Sequence, residues 1–258
     1  CPTPSRLLIH DDAAFPDQQN AIRRVIEAIV PGHVDVIVQF DDPPIFHGPA
    51  LHWLLQQLRA DEEYCFYTQD DWEFLRPVPV LDTVEVLQRF GLNQIRFNKR
   101  ETMPYKGEGP TRWDKHQFLF DARSGKSLRY MGTEPALAAK DVSVPGCQWL
   151  TLSDHWYFQA SVWRVSHIRP VVEWWMRRSP GGFRMASEIK VNKVMNGEVD
   201  AASQLEIAMP APGTAYSDHG TRAVVQSTWI WGGIGEQPFV KHLGVDAKDF
   251  ARLGPRPG

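Results

Sequence analysis

The stretch EYCFYTQDDWEFL, residues 63–75, holds the pattern on which the rest of the reading turns. An apolar run, Tyr64 to Tyr67, stops at Gln69-Asp70-Asp71, and Trp72 and Phe74 follow at once. A short apolar and aromatic run of this kind reads as a buried strand. Two adjacent carboxylates repel each other, and a half-buried carboxylate is costly unless something offsets its charge. A divalent cation is one offset and a helix cap is another.

Upstream, two earlier strands end in the same way. Arg6 to His10 is an apolar run closed by Asp11-Asp12, and Val34 to Phe40 is closed by Asp41-Asp42. Between them Pro16 suits a first helical turn. Ile22, Val25, Ile26, Ile29 and Val30 then follow at amphipathic helical spacing until Pro31-Gly32 stops the helix. His47-Gly48-Pro49 opens a second helix with Leu51, Leu54, Leu55 and Leu58 on one face. Strands alternating with helices over short connections predict a parallel sheet wound with helices. In such sheets ligands gather at the carboxyl ends of the strands. That all three strand ends carry acids weakens the capping reading of Asp70-Asp71.

Downstream the pattern is less regular. Val80 to Phe90 reads as a helix and Asn93 to Asn98 as a strand. Residues 99–146, rich in Gly, Pro and charge, read as loops with short strands. Trp149 to Leu152 is a further strand, and Ser166 is expected to cap a helix whose apolar face is Ile168, Val171, Val172, Trp175 and Met176. Met185 to Met195 reads as helix, Gly197 to Gly220 as polar loop and Val224 to Trp231 as strand.

Bulk properties narrow the functional classes. The 258 residues suit one large α/β domain or two small ones. A net charge of -3 removes any global basic field for nucleic acid. The three cysteines, Cys1, Cys65 and Cys147, are far apart and lack metal-ligand spacing, which fits a reducing compartment. No apolar stretch approaches the ~20 residues of a membrane span, and none reads as a signal peptide, so a cytoplasmic location is expected. Ten tryptophans suit surfaces that hold sugars or bases, but they suit core packing as well.

Taken in order, these segments resemble the GT-A fold glycosyltransferases, notably the large inverting family that includes cellulose and chitin synthases. LLIHDDA resembles that family's strand ending in Asp-Asp-Gly-Ser. FHGPALHWLLQQL resembles its Asn-x-Gly-x-x-x-Ala-x-Asn helix, and YCFYTQDDWEF resembles its Asp-x-Asp (DxD) strand. FVKHLG resembles the His-x-Gly seen late in several GT-A enzymes. Two departures stand out: Ala13 replaces a Gly, and Gln69 replaces the first acid of the Asp-x-Asp.

The resemblance implies an α/β chain with a GT-A-like, Rossmann-type, mostly parallel sheet flanked by helices. It implies a single domain over 1–258, with a nucleotide-sugar-binding half at 1–98 and an acceptor-binding and catalytic half at 99–258. The activity implied is metal-dependent, inverting transfer of a sugar from a nucleotide diphosphate, a UDP-sugar above all, to an acceptor hydroxyl. The leaving diphosphate calls for Mg²⁺ or Mn²⁺. Asp71 and His242 are then the metal ligands, the His favouring Mn²⁺. Asp70 or Gln69 orients ribose or a metal-bound water, Asp12 accepts a hydrogen bond from the base, and Gly48 belongs to the donor-binding helix. Glu188 is the expected general base and Asp154, in LSDHWYF, the alternative.

The acceptor is left open between a glycan, a protein and a modified base in phage-like DNA. Trp72, Trp113, Trp149, Trp156 and Trp163 offer stacking surfaces. Arg96-Lys99-Arg100, Arg112-Lys115 and Arg177-Arg178 with Arg184 are basic clusters suited to phosphates. Two other classes compete: a non-catalytic nucleotide-sugar-binding module, to which Gln69 points, and a nucleotidyltransferase of similar topology.

Overall fold

The computed structural model describes residues 6–11, 15–41, 45, 47–98, 117–121, 127–130, 149–152, 158–179, 181, 189–191, 193–194, 200–207, 228–231 and 237–243. The chain is mixed α/β and forms two compact units, residues 1–65 with 164–211 and residues 66–163 with 212–258.

The first unit begins with the expected strand–helix–strand turn. β1 (Arg6–Asp11) and β2 (Asp35–Phe40) pair in parallel, Arg6 opposite Asp35 through Asp11 opposite Phe40. A parallel pair needs a crossover, and α1 (Pro16–Ile29) supplies it with Pro16 in its first turn. The apolar stripe of α1 is not sunk into a core, since none of its residues is buried and Ile29 remains 72% exposed. Arg6 ties the unit's edge together. Its guanidinium donates to Asp35 at 3.0 Å, to the Gln57 carbonyl at 2.9 Å and to Glu62 at 2.9 Å.

α2 (His47–Gln57) buries Gly48, Leu51 and Leu55 and packs on α4 (Val165–Arg178). α4 contributes Val165, Ile168, Val171, Val172 and Trp174 to this core. Arg169 of α4 donates to the carbonyls of Leu55 and Leu58 at 3.0 and 3.1 Å, satisfying the open C-terminal carbonyls of α2. Ser166 does not cap α4: the cap position is Arg164, with no side-chain cap bond, and Ser166 lies inside the first turn. α5 (Ala201–Ile207) falls where a polar loop was expected. Asp200 explains it, accepting the Ser203 N–H at 2.9 Å as an N-cap.

The larger sheet has seven strands in the order β3-β9-β5-β10-β8-β6-β7. These are β3 (Tyr64–Tyr67), β5 (Gln94–Phe97), β6 (Gln117–Asp121), β7 (Ser127–Tyr130), β8 (Trp149–Leu152), β9 (Ser161–Arg164) and β10 (Thr228–Trp231). β5 and β10 run parallel, whereas β9 runs antiparallel to β5, β8 to β10 and β6, and β7 to β6. The sheet is therefore only partly parallel. The short connection from Asp121 to Ser127 cannot cross over, so it forces β6 and β7 antiparallel.

Ile95, Phe97, Val162, Trp163 and Trp229 are almost completely buried. Tyr67 stacks on Trp163, ring centres 4.2 Å apart. α3 (Val80–Phe90) ends at Gly91, whose left-handed φ of 65° lets its N–H turn back to the Leu87 carbonyl. Among the described residues no helix is long and apolar enough to cross a membrane.

His167 of α4 is 1% exposed, and its Nδ1 has no hydrogen-bond partner among the described residues. Burial first, then the nearby Arg164 charge, pushes its imidazole from 6.5 down to about 4. Between those two values the unfolded chain binds a proton that the folded chain refuses, so stability rises with pH across this window and is lost as pH falls through it. A shift of this size corresponds to about 3 kcal/mol at most. The unfolding free energy from urea titration should fall as pH drops from 7 to 4.5, and His167→Leu should flatten that slope.

Candidate functional site

After β3 the chain turns through Thr68-Gln69-Asp70 and enters β4 (Trp72–Phe74). β4 pairs antiparallel with β11 (Val240–His242), setting Trp72 opposite His242, Glu73 opposite Lys241 and Phe74 opposite Val240. Side chains alternate along a strand. Trp72 and His242 therefore share one face, with ring centres 4.8 Å apart. Glu73 and Lys241 share the other face in an ion pair at 3.3 Å. The Leu243 N–H closes the ladder on the Asp71 carbonyl at 2.6 Å.

This pairing carries His242 to Asp71 across 171 residues of sequence. Its Nε2 lies 2.8 Å from Asp71 Oδ2. Oδ1 of the same carboxylate is buried and has no hydrogen-bond partner among the described residues. The side chains are 38% and 44% exposed, so the pair faces solvent on one side and packed Trp72 on the other.

Carboxylate and imidazole, here hydrogen-bonded to each other, are side-chain types that can ligate a divalent cation. With ligand distances of about 2.1 Å, two neighbouring ligands of an octahedral ion stand about 3 Å apart, close to the observed spacing. Among the described residues no three His, Cys, Asp or Glu side chains cluster around one point. Two protein ligands, with the rest supplied by phosphate oxygens and water, are the usual arrangement for Mg²⁺ held together with a phosphorylated substrate.

The other candidate residues divide into three groups. Asp70 is exposed and Gln69 half-buried beside Asp71, in the same turn. Gly48 lies in the first turn of α2, in the other unit. Asp12, Asp154 and Glu188 lie outside the described residues.

A second acid–imidazole contact joins β1 to the residue after β2. Asp41, just past β2, accepts from His10 Nε2 at 2.6 Å and from Gln39 at 2.9 Å. The His10 ring meets the edge of Trp53 at 5.7 Å. Both oxygens of this carboxylate are engaged and His10 is 3% exposed, so the contact acts as a structural tie between β1 and β2.

Sequence reasoning missed the residues that hold the site. Asn98, Arg76 and Phe239 surround the strap that carries His242. The nearest sequence signal is the polar Asn98 directly after the strand Gln94–Phe97. No known protein family matches the chain, and no curated protein does either.

An exposed ion pair contributes only about 0.2–1 kcal/mol to stability. A double-mutant cycle with Asp71→Ala and His242→Ala, read by urea unfolding, should therefore give a coupling below about 1 kcal/mol, with both single variants folded. A coupling of several kcal/mol would make the pair a structural element instead.

Proposed function

We propose that the chain is a metal-dependent glycosyltransferase of GT-A-like fold, moving a sugar from a nucleotide diphosphate, preferably a UDP-sugar, to an acceptor hydroxyl with inversion. The observation that supports it most is the meeting of Asp71 and His242. Both were singled out as cation ligands from sequence motifs 171 residues apart, and they stand 2.8 Å from each other. The parallel β1–β2 pair with its helical crossover supports the reading, although it forms a sheet separate from β3.

A bound Mn²⁺ or Mg²⁺ supplies neutralisation of the charge that develops on the departing diphosphate. Asp71 would contribute the anionic ligand. His242 would contribute an imidazole lone pair. Trp72 packs against that imidazole, ring centres 4.8 Å apart. In the transfer itself the acceptor oxygen bonds to the anomeric carbon as the bond to the diphosphate oxygen breaks. The electron pair leaves on the diphosphate, and the acceptor proton passes to the Glu188 carboxylate, or to Asp154 in the alternative assignment.

One observation favours a second reading, a nucleotide-sugar-binding module without transfer: Gln69 stands where the motif has an acid. The two readings part on turnover, since both bind donor.

Two measurements test the proposal. In calorimetry, the wild type should bind UDP more tightly with Mn²⁺ than without it, and Asp71→Ala should abolish that difference while staying folded. Unchanged metal-dependent affinity in the variant would remove Asp71 from the site. Glu188→Gln keeps size and hydrogen bonding but cannot take the proton. Transfer should drop by about 10²-fold or more with donor affinity nearly constant. Wild-type turnover in Glu188→Gln, with a dead Asp154→Asn, would pass the role to Asp154.

A further inference from the structure

β4 and β11 are three residues each and form a sheet of two strands. A two-stranded pairing is marginal by itself, so something else must fix the segment that carries His242. Asn98 does so. It sits one residue past β5, is 4% exposed and reaches the segment across about 140 residues of sequence, through groups on both its backbone and its side chain.

The Phe239 N–H is shared between the Asn98 carbonyl at 3.0 Å and Asn98 Oδ1 at 3.1 Å. The Val240 N–H reaches the same carbonyl at 3.3 Å, and Asn98 Nδ2 donates to the Gln237 carbonyl at 3.3 Å. Arg76 contributes two further contacts. Its guanidinium lies over the Phe239 ring at 3.4 Å and donates to the Gln237 carbonyl at 2.5 Å. The Phe239 carbonyl accepts the Leu75 N–H at 2.9 Å. A buried amide is costly unless its groups are bonded, and here its bonds go to the segment that delivers His242.

We propose that Asn98 is the positioning residue of the Asp71–His242 pair. It holds Gln237 to Val240 at the end of β5 and thereby sets where His242, two residues further on, meets Asp71. Asn98 acts through the backbone of Gln237, Phe239 and Val240, which leads on to His242. Its placement role stands on geometry alone; its consequence for cation affinity rests on the donor-site reading above.

The test has two arms on the full chain. In histidine-labelled protein without metal, the wild type should show a nuclear Overhauser contact between the His242 ring and Asp71 Hβ. Asn98→Ala should lose it while keeping a folded spectrum. With UDP present, free Mn²⁺ measured by electron paramagnetic resonance should show Mn²⁺ bound about 10-fold or more weakly by Asn98→Ala, the scale for loss of an outer-shell support. Asn98→Ala should add nothing further in a His242→Ala background, because both changes remove the same ligand. Should Asn98→Ala fail to fold, Asn98→Asp carries both arms, since it keeps Oδ1 but loses the Nδ2 donor. A retained contact with unchanged Mn²⁺ affinity, or a full further loss on top of His242→Ala, overturns the proposal. If the wild type binds no Mn²⁺ with UDP, the donor-site reading fails and the contact arm alone decides the role of Asn98.

Discussion

The candidate site depends on the short ladder between β4 and β11, closed by the Leu243 N–H on the Asp71 carbonyl. It joins segments 171 residues apart. Distance along the chain is a modest obstacle, since each doubling of a closed loop costs only about 0.6 kcal/mol. Burying a large apolar side chain contributes about 1.5–3 kcal/mol, and Trp72, Phe239 and Val240 are all buried at this ladder. Apolar burial therefore drives the two segments together. The hydrogen bonds decide the register, and the register decides that His242 rather than Lys241 faces the Trp72 side.

Two acid–imidazole contacts in one chain invite comparison, and their surroundings separate them. At Asp41 both carboxylate oxygens are engaged, by His10 and Gln39, and the imidazole is sealed from solvent beside Trp53. There each oxygen already accepts a side-chain hydrogen bond. At Asp71 one oxygen meets His242, the other has no partner among the described residues, and both side chains stay partly open to water. The same pair of residue types is a tie in one place and a candidate ligand site in the other. Burial and leftover hydrogen-bonding capacity make the difference.

Much of the first unit was legible from sequence because its signals are long. The alternation of β1, α1, β2 and α2 follows hydrophobic period and the Pro and Gly punctuation, and the paired acids mark where each strand stops. Asp71 and His242 were legible as candidates through motif resemblance, not through any local pattern that places them together. Three-residue strands lie below the length at which period can be recognised, so β4 and β11, and with them the meeting of the two residues, could not be read. Asn98 reads as the last residue of a strand, and its partners about 140 residues away leave no local signal. The apolar stripe of α1 was legible while its exposure was not, because period reports a face and not what covers it. At α5 a capping Asp200 ahead of Ser203 was in plain view but lay within a segment whose composition argued for loop.

In the proposed site Asp71 and His242 together hold a cation that in turn holds a diphosphate. Crystals grown with Mn²⁺ and UDP, with diffraction collected at the manganese absorption edge, test it most directly. The expected result is an anomalous peak within about 2.5 Å of both Asp71 and His242 Nε2, with diphosphate oxygens completing its coordination. A manganese peak elsewhere in the molecule, with Asp71 and His242 still hydrogen-bonded to each other and UDP bound apart from them, would contradict it.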